Sequence, residues 1–83
     1  MISELTHDDL HVESDGAVLV DPNRFGPAWA GPVGRILPIV GTARLVWIPD
    51  DNPTEAWPAN SVDEAKKSLA AYLRRHYGQG VAA

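Results

Sequence analysis

The chain has no cysteine among its 83 residues. That removes disulfides, thiolate zinc sites and cysteine nucleophiles together, and makes a cytoplasmic setting the expectation. Long hydrophobic runs are also missing: Leu45 to Ile48 is four residues, where a membrane helix needs about 20. The first residues carry no basic stretch leading into an apolar one, so no secretory leader is expected. Positive charge is scarce, with seven Lys and Arg against eleven Asp and Glu for a net charge of −4. Such a balance disfavours general binding to a phosphate backbone.

That net charge is distributed in blocks. Residues 1–23 carry six acids and no Lys or Arg, and residues 24–49 carry three arginines and no acid. Five acids follow in 50–64, then four bases in 65–77. Neighbouring blocks of opposite sign can neutralise one another across a fold. At this length there is room for one domain with one modest core, and an apolar content of 45 % argues against disorder throughout.

The clearest local structure lies between Trp57 and Gly78. Ser61 and Glu64 make a Ser-x-x-Glu capping box, in which each side chain can satisfy a backbone N–H of the other. Asp63 and Glu64 fall in the first turn, with Lys66, Lys67, Arg74 and Arg75 further along, the order the helix dipole favours. Val62, Ala65, Leu69, Tyr72, Leu73 and His76 recur at 3.6-residue spacing and predict one apolar stripe. Gly78 supplies a residue suited to the left-handed conformation that ends many helices. About 16 residues at about 1.5 Å each give a rod of roughly 24 Å, enough to cover a small sheet.

Upstream, the pattern predicts two hairpins. Leu10 and Val12 alternate with His11 and Glu13, then Asp15-Gly16 precedes Ala17-Val18-Leu19-Val20. Asp-Gly between extended runs predicts a type I′ turn with positive φ at both central residues. The alternating strand reads as an edge, and the strand apolar on both faces as central. Strands near 35–39 and 44–48 flank Gly41-Thr42. Pro38 has no N–H to donate, which favours a four-residue loop closed by Ile39 and Arg44. Leu45 to Ile48 should be the other central strand. Between the hairpins, three prolines and three glycines in residues 21–34 argue against regular structure, yet Phe25 and Trp29 argue against a disordered linker.

The expected fold is therefore α+β: a small antiparallel sheet of about four strands in two hairpins, with one C-terminal helix packed on one face. Residues 1–83 form a single domain. It comprises a lead-in (1–9), the first hairpin (10–21), a Pro/Gly/aromatic loop (22–34) and the second hairpin (35–48). A connection (49–60), the helix (61–77) and a tail (78–83) complete it. One helix covers one sheet face, so the other must be covered by the aromatic loop or by a partner.

No catalytic constellation is present. Ser61 is accounted for as a helix cap with no base linked to it. Gly26, Gly31 and Gly34 lack phosphate-binding spacing. Asp50, Asp51 and Glu55 form an acidic corner, but acid–base work needs a pocket and shifted pKa values. His7 and His11 stand four apart, a spacing that converges on a metal only from a helix, and residue 11 reads as strand. No cofactor is expected, and the chain is read as non-enzymatic. The basic helix residues with the aromatic loop could suit single-stranded nucleic acid, against which the acidic balance weighs.

The remaining clue is aromatic. Phe25 and Trp29, with Arg24 on a Pro/Gly-stiffened loop, have the composition of an interface anchor, and equally of a plug for the uncovered sheet face. The expected activity is capture and occlusion of another protein through Arg24, Phe25 and Trp29, the acidic residues Asp8, Asp9, Asp50 and Asp51, or both. The alternatives are a homodimeric structural or assembly subunit, and a metal-binding or hydrolytic protein using His7 and His11. The residues assign no family. In format (short, acidic, cysteine-free, one capped helix on a small sheet) the chain resembles the stand-alone proteins of phages and mobile elements. Among those, inhibitors of host defence complexes such as anti-CRISPR proteins act by binding and blocking. Format alone does not imply function.

Overall fold

A computed structural model describes residues 4–77 and shows an α+β fold: an open five-stranded antiparallel sheet with one long C-terminal helix. The strands are β1 (Leu10–Val12), β2 (Ala17–Val20), β3 (Pro32–Pro38), β4 (Leu45–Pro49) and β5 (Trp57–Ala59). They lie side by side in chain order, so the sheet is a simple meander. A four-residue helix α1 (Pro22–Phe25) and 3-10 turns at His7–Asp9 and Pro27–Trp29 decorate it, and α2 (Val62–Tyr77) packs across β3, β4 and β5.

The expected four strands become five because part of the 49–60 connection is a strand. Trp57, Pro58 and Ala59 pair with Trp47, Val46 and Leu45. Proline is tolerated there because β5 is an edge strand, with one side free of ladder bonds. Residues 22–34 are also more regular than their composition suggests. Pro22 opens α1, where its missing N–H costs nothing, and Asp21 caps that turn by accepting from the Asn23 N–H at 2.9 Å. Pro27 opens the second turn and Pro32 opens β3. Each proline begins an element instead of forbidding one.

The first hairpin turn differs in type from the predicted I′. The Glu13 N–H donates to the Ala17 carbonyl at 2.8 Å, closing a three-residue loop of Ser14 to Gly16. Only Gly16 there has positive φ, +93°, and the Asp15 carboxylate accepts from the Ala17 N–H at 3.0 Å. The second hairpin closes as Pro38 requires: the Ile39 N–H donates to the Arg44 carbonyl at 2.9 Å, and Pro38 faces Leu45. Val33 is an extra residue where the β2–β3 register shifts between Val18 and Leu19.

The core lies between the sheet and α2. Leu10, Val18, Val20, Ile36, Trp47 and Ala59 meet Ala65, Leu69, Ala70 and Leu73. The predicted stripe holds at Ala65, Leu69 and Leu73, whereas Val62 is 44 % exposed and Ala70 joins the core from beside the stripe. The cap differs in one arm: the Glu64 N–H donates to Ser61 Oγ at 3.1 Å, but the Glu64 carboxylate accepts from the Asn60 N–H, not from Ser61. Gly34 lets the helix approach the sheet, since a Cβ there would stand 2.7 Å from the Ile48 carbonyl oxygen and 3.1 Å from Leu69 Cδ2. The lead-in belongs to the core as well. Leu5 is fully buried, and Arg74 Nη1 donates to its carbonyl at 2.6 Å. The predicted Gly78 terminus and the 78–83 tail lie outside the described residues. Among the described residues no helix is long and apolar enough to cross a membrane.

Candidate functional site

The loop carrying Phe25 and Trp29 folds toward the helix side of the sheet, not over the open face. Both rings are half-buried against the core beneath α2. Trp29 meets Tyr77, in the last described turn of α2, edge-on with ring centroids 5.1 Å apart. Arg24 lies over the Phe25 ring with its guanidinium carbon 5.0 Å from the centroid, and forms an ion pair with Asp9. Asp9 also accepts from the Thr6 N–H at 2.8 Å, so its carboxylate holds the first turn to α1. Arg24, Phe25 and Asp9 thus form one group, occupied internally. Asp8 is exposed beside it and stands 3.4 Å from His7.

The second group contains a cleft. Residues 28–33, the Asp50–Asp51 turn after β4, and Leu73 and Tyr77 of α2 surround a volume of about 450 Å³. Openings of this size accept a side chain or a small ligand. Trp29, Asp50 and Asp51, far apart in the chain, are brought to one site. Arg24, Phe25, Asp8 and Asp9 are not part of its lining.

Two tyrosines order its acidic wall. Tyr72 donates its hydroxyl to Asp51 Oδ1 at 2.9 Å, and Tyr77 donates to Oδ2. Desolvation works to raise the Asp51 pKa, but the hydrogen bonds from Tyr77 and Tyr72, with the charge of His76, prevail and hold it below the usual carboxylate value. The reciprocal effect on Tyr77 pushes its pKa up to about 12, through the bond to Asp51 first and then desolvation. Tyr72 is raised also, by desolvation first and then by Asp51. Behind this clamp, Tyr72 stacks on His76 at 4.1 Å and meets Trp47 edge-on at 5.8 Å, while Trp47 stacks on Trp57 at 4.6 Å.

A carboxylate held ionised, next to the exposed Asp50 and between two aromatic rings, suits a cation. With its pKa lowered, Asp51 is poorly suited to donating a proton. Among the described residues no Lys, Arg or His lines the cleft. Tyr77 was not among the residues singled out from sequence. Its only signal there is its place at the end of an amphipathic helix, which says nothing of Asp51, 26 residues away.

The two histidines take different partners. His7 Nε2 lies 3.4 Å from both Asp8 and Asp63, and His11 Nε2 lies 3.0 Å from Glu13. Asp63 is bonded by Lys67 at 3.2 Å, and that hydrogen bond leads the effects holding its pKa low. Among the described residues no group of three or more His, Asp or Glu side chains is placed to hold a metal ion. Compared with known proteins, the chain matches no family model, no curated protein and no solved structure.

Proposed function

We propose that this chain is a small non-enzymatic protein-binding module that captures a basic segment of another protein and blocks it by occlusion. The observation that carries the reading is the cleft lined by Trp29, Tyr77 and the Asp50–Asp51 pair, with no cation in its lining among the described residues. A Lys or Arg side chain entering it meets two carboxylates beside an edge-on aromatic pair. The tyrosine clamp keeps Asp51 charged and oriented before the partner arrives, which lowers the ordering cost of binding. The short acidic format supports an inhibitor of the phage or mobile-element kind, anti-CRISPR-like in manner of action, working in the cytoplasm.

The test is a titration with a Lys/Arg-rich peptide and its Glu-substituted counterpart, followed by backbone amide NMR shifts. Shifts confined to residues 28–33, 50–51 and 73–77, produced by the basic peptide and removed in Asp50→Asn, support the reading. Equal response to both peptides, or shifts elsewhere, would sink it.

A further inference from the structure

The Asp51 carboxylate borders two places. Tyr77, which donates to Oδ2, lines the cleft, whereas Tyr72, which donates to Oδ1 at 2.9 Å, does not. Helical spacing puts Leu73 and Tyr77 on one flank of α2, and Tyr72 and His76 on the next. That second flank turns toward β5, where the Tyr72 and Trp57 ring centroids are 6.1 Å apart. His76 stacks on Tyr72 at 4.1 Å. Trp57 gives one face to the buried Trp47, at 4.6 Å, and is still 36 % exposed. β5 is an edge of the sheet, so no strand among the described residues shields this corner.

The corner is acidic as well as aromatic. Glu55 stands two residues before Trp57, is exposed, and has no ion-pair partner among the described residues. Its charge reaches Tyr72, whose pKa is raised by desolvation first, then by Asp51 and lastly by Glu55. An exposed indole beside an unpaired carboxylate suits a cation. Guanidinium, being planar and weakly hydrated, is the side-chain cation best fitted to stack there.

We infer that Trp57, Tyr72 and Glu55 form a second subsite, for an arginine of the same basic segment whose other cation enters the cleft. This rests on the cleft capturing such a segment. Tyr72 joins the two places, because its hydroxyl holds Asp51 while its ring meets Trp57. They therefore stand on the order of 10 Å apart, a span that about three residues of extended chain cover. Engaging both at once raises affinity without any change in either site.

Two peptides, Arg-Gly-Gly-Arg and Arg-Gly-Gly-Gln, test the inference by NMR titration at about pH 8, where histidine ordinarily carries little charge. Both should shift the amides of residues 28–33 and 50–51. The two-arginine peptide should also shift the Trp57 indole N–H and bind at least about fivefold tighter. That advantage should fall at least about threefold in Trp57→Leu and in Glu55→Gln, with the cleft shifts retained. Glu55 is exposed, so its variant tests the subsite without touching the core, and circular dichroism checks both folds. Cleft shifts with an unmoved Trp57 indole, or an advantage that survives both substitutions, overturn the second subsite and leave the cleft reading standing. No cleft shift with either peptide overturns both.

Discussion

Tyr77, in the last described turn of α2, donates a hydrogen bond to Asp51 in the turn after β4. This contact ties the helix end to the sheet and orders one wall of the cleft. Its pH behaviour follows from the two shifted groups. Tyr77 has its pKa raised from 10.0 to about 12, so its contribution to stability is full below pH 10 and lost as pH rises toward 12. Asp51 is lowered from 3.8, so its contribution is present above pH 3.8 and lost as pH falls through the folded value. The chain has two tyrosines, and both are raised. Tyrosinate absorbance should therefore rise only above pH 10 in the folded protein, and Asp51→Asn should shift the curve to lower pH. An unshifted curve would show that the clamp does not form in solution.

Trp29 serves both packing and the cleft. Trp29→Ala should cost about 1–3 kcal/mol of stability, less than for a fully buried ring because Trp29 is half-exposed. Trp29→Phe should keep most of that stability while weakening capture of a basic peptide, since indole is the stronger cation acceptor. Urea melts and peptide titrations on the two variants separate the effects. Equal peptide affinity in wild type, Phe and Ala variants would remove Trp29 from the site.

At Gly34 there is no room for a side chain between β4 and Leu69 of the helix. Gly34→Ala should destabilise by about 1–3 kcal/mol, because the added methyl meets a backbone carbonyl that has no rotamer to change. A second substitution, Leu69→Ala, tests the same contact from the helix side and should cost about 2–5 kcal/mol. Chemical denaturation of both reports whether the helix docks against this glycine. A neutral Gly34→Ala would mean that the layers stand further apart.

The Arg74 bond to the Leu5 carbonyl predicts a measurable tether. Arg74→Met keeps the aliphatic stem and removes the donor, and should cost about 1–2 kcal/mol, as for a charged hydrogen bond to backbone. Amide exchange in residues 4–9 should accelerate in that variant, with β3 and β4 unchanged. Unaltered protection there would show that burial of Leu5 alone holds the segment.

Local signals were legible in the sequence and distant ones were not. The Ser61 cap, the charge order along α2 and its core positions Ala65, Leu69 and Leu73 all act within a few residues, and the structure bears them out. The phase of the second hairpin could be read because Pro38 lacks an N–H. β5 was hidden because three residues with a central proline have no periodicity to detect, and their pairing depends on β4 being present. Leu5 was missed for the same kind of reason: a lone leucine before a 3-10 turn has no pattern, and its burial depends on α2. For the cleft, the sequence supplied Trp29 and the two aspartates separately. Their convergence, and the role of Tyr77, depend on which side of the sheet the loop takes.

The bond between Arg74 and Leu5 spans 69 positions, and the helix that carries Arg74 is the last described element. During synthesis the five strands emerge in the order in which they pair, yet Ala65, Leu69, Ala70 and Leu73, which complete the core, come only with α2. Until then the nascent meander exposes the face bearing Ile36 and Trp47 as well as the one bearing Leu37 and Val46. A chain ending before residue 62 would therefore present apolar side chains on both faces of the sheet, the kind of exposed surface that leads to aggregation.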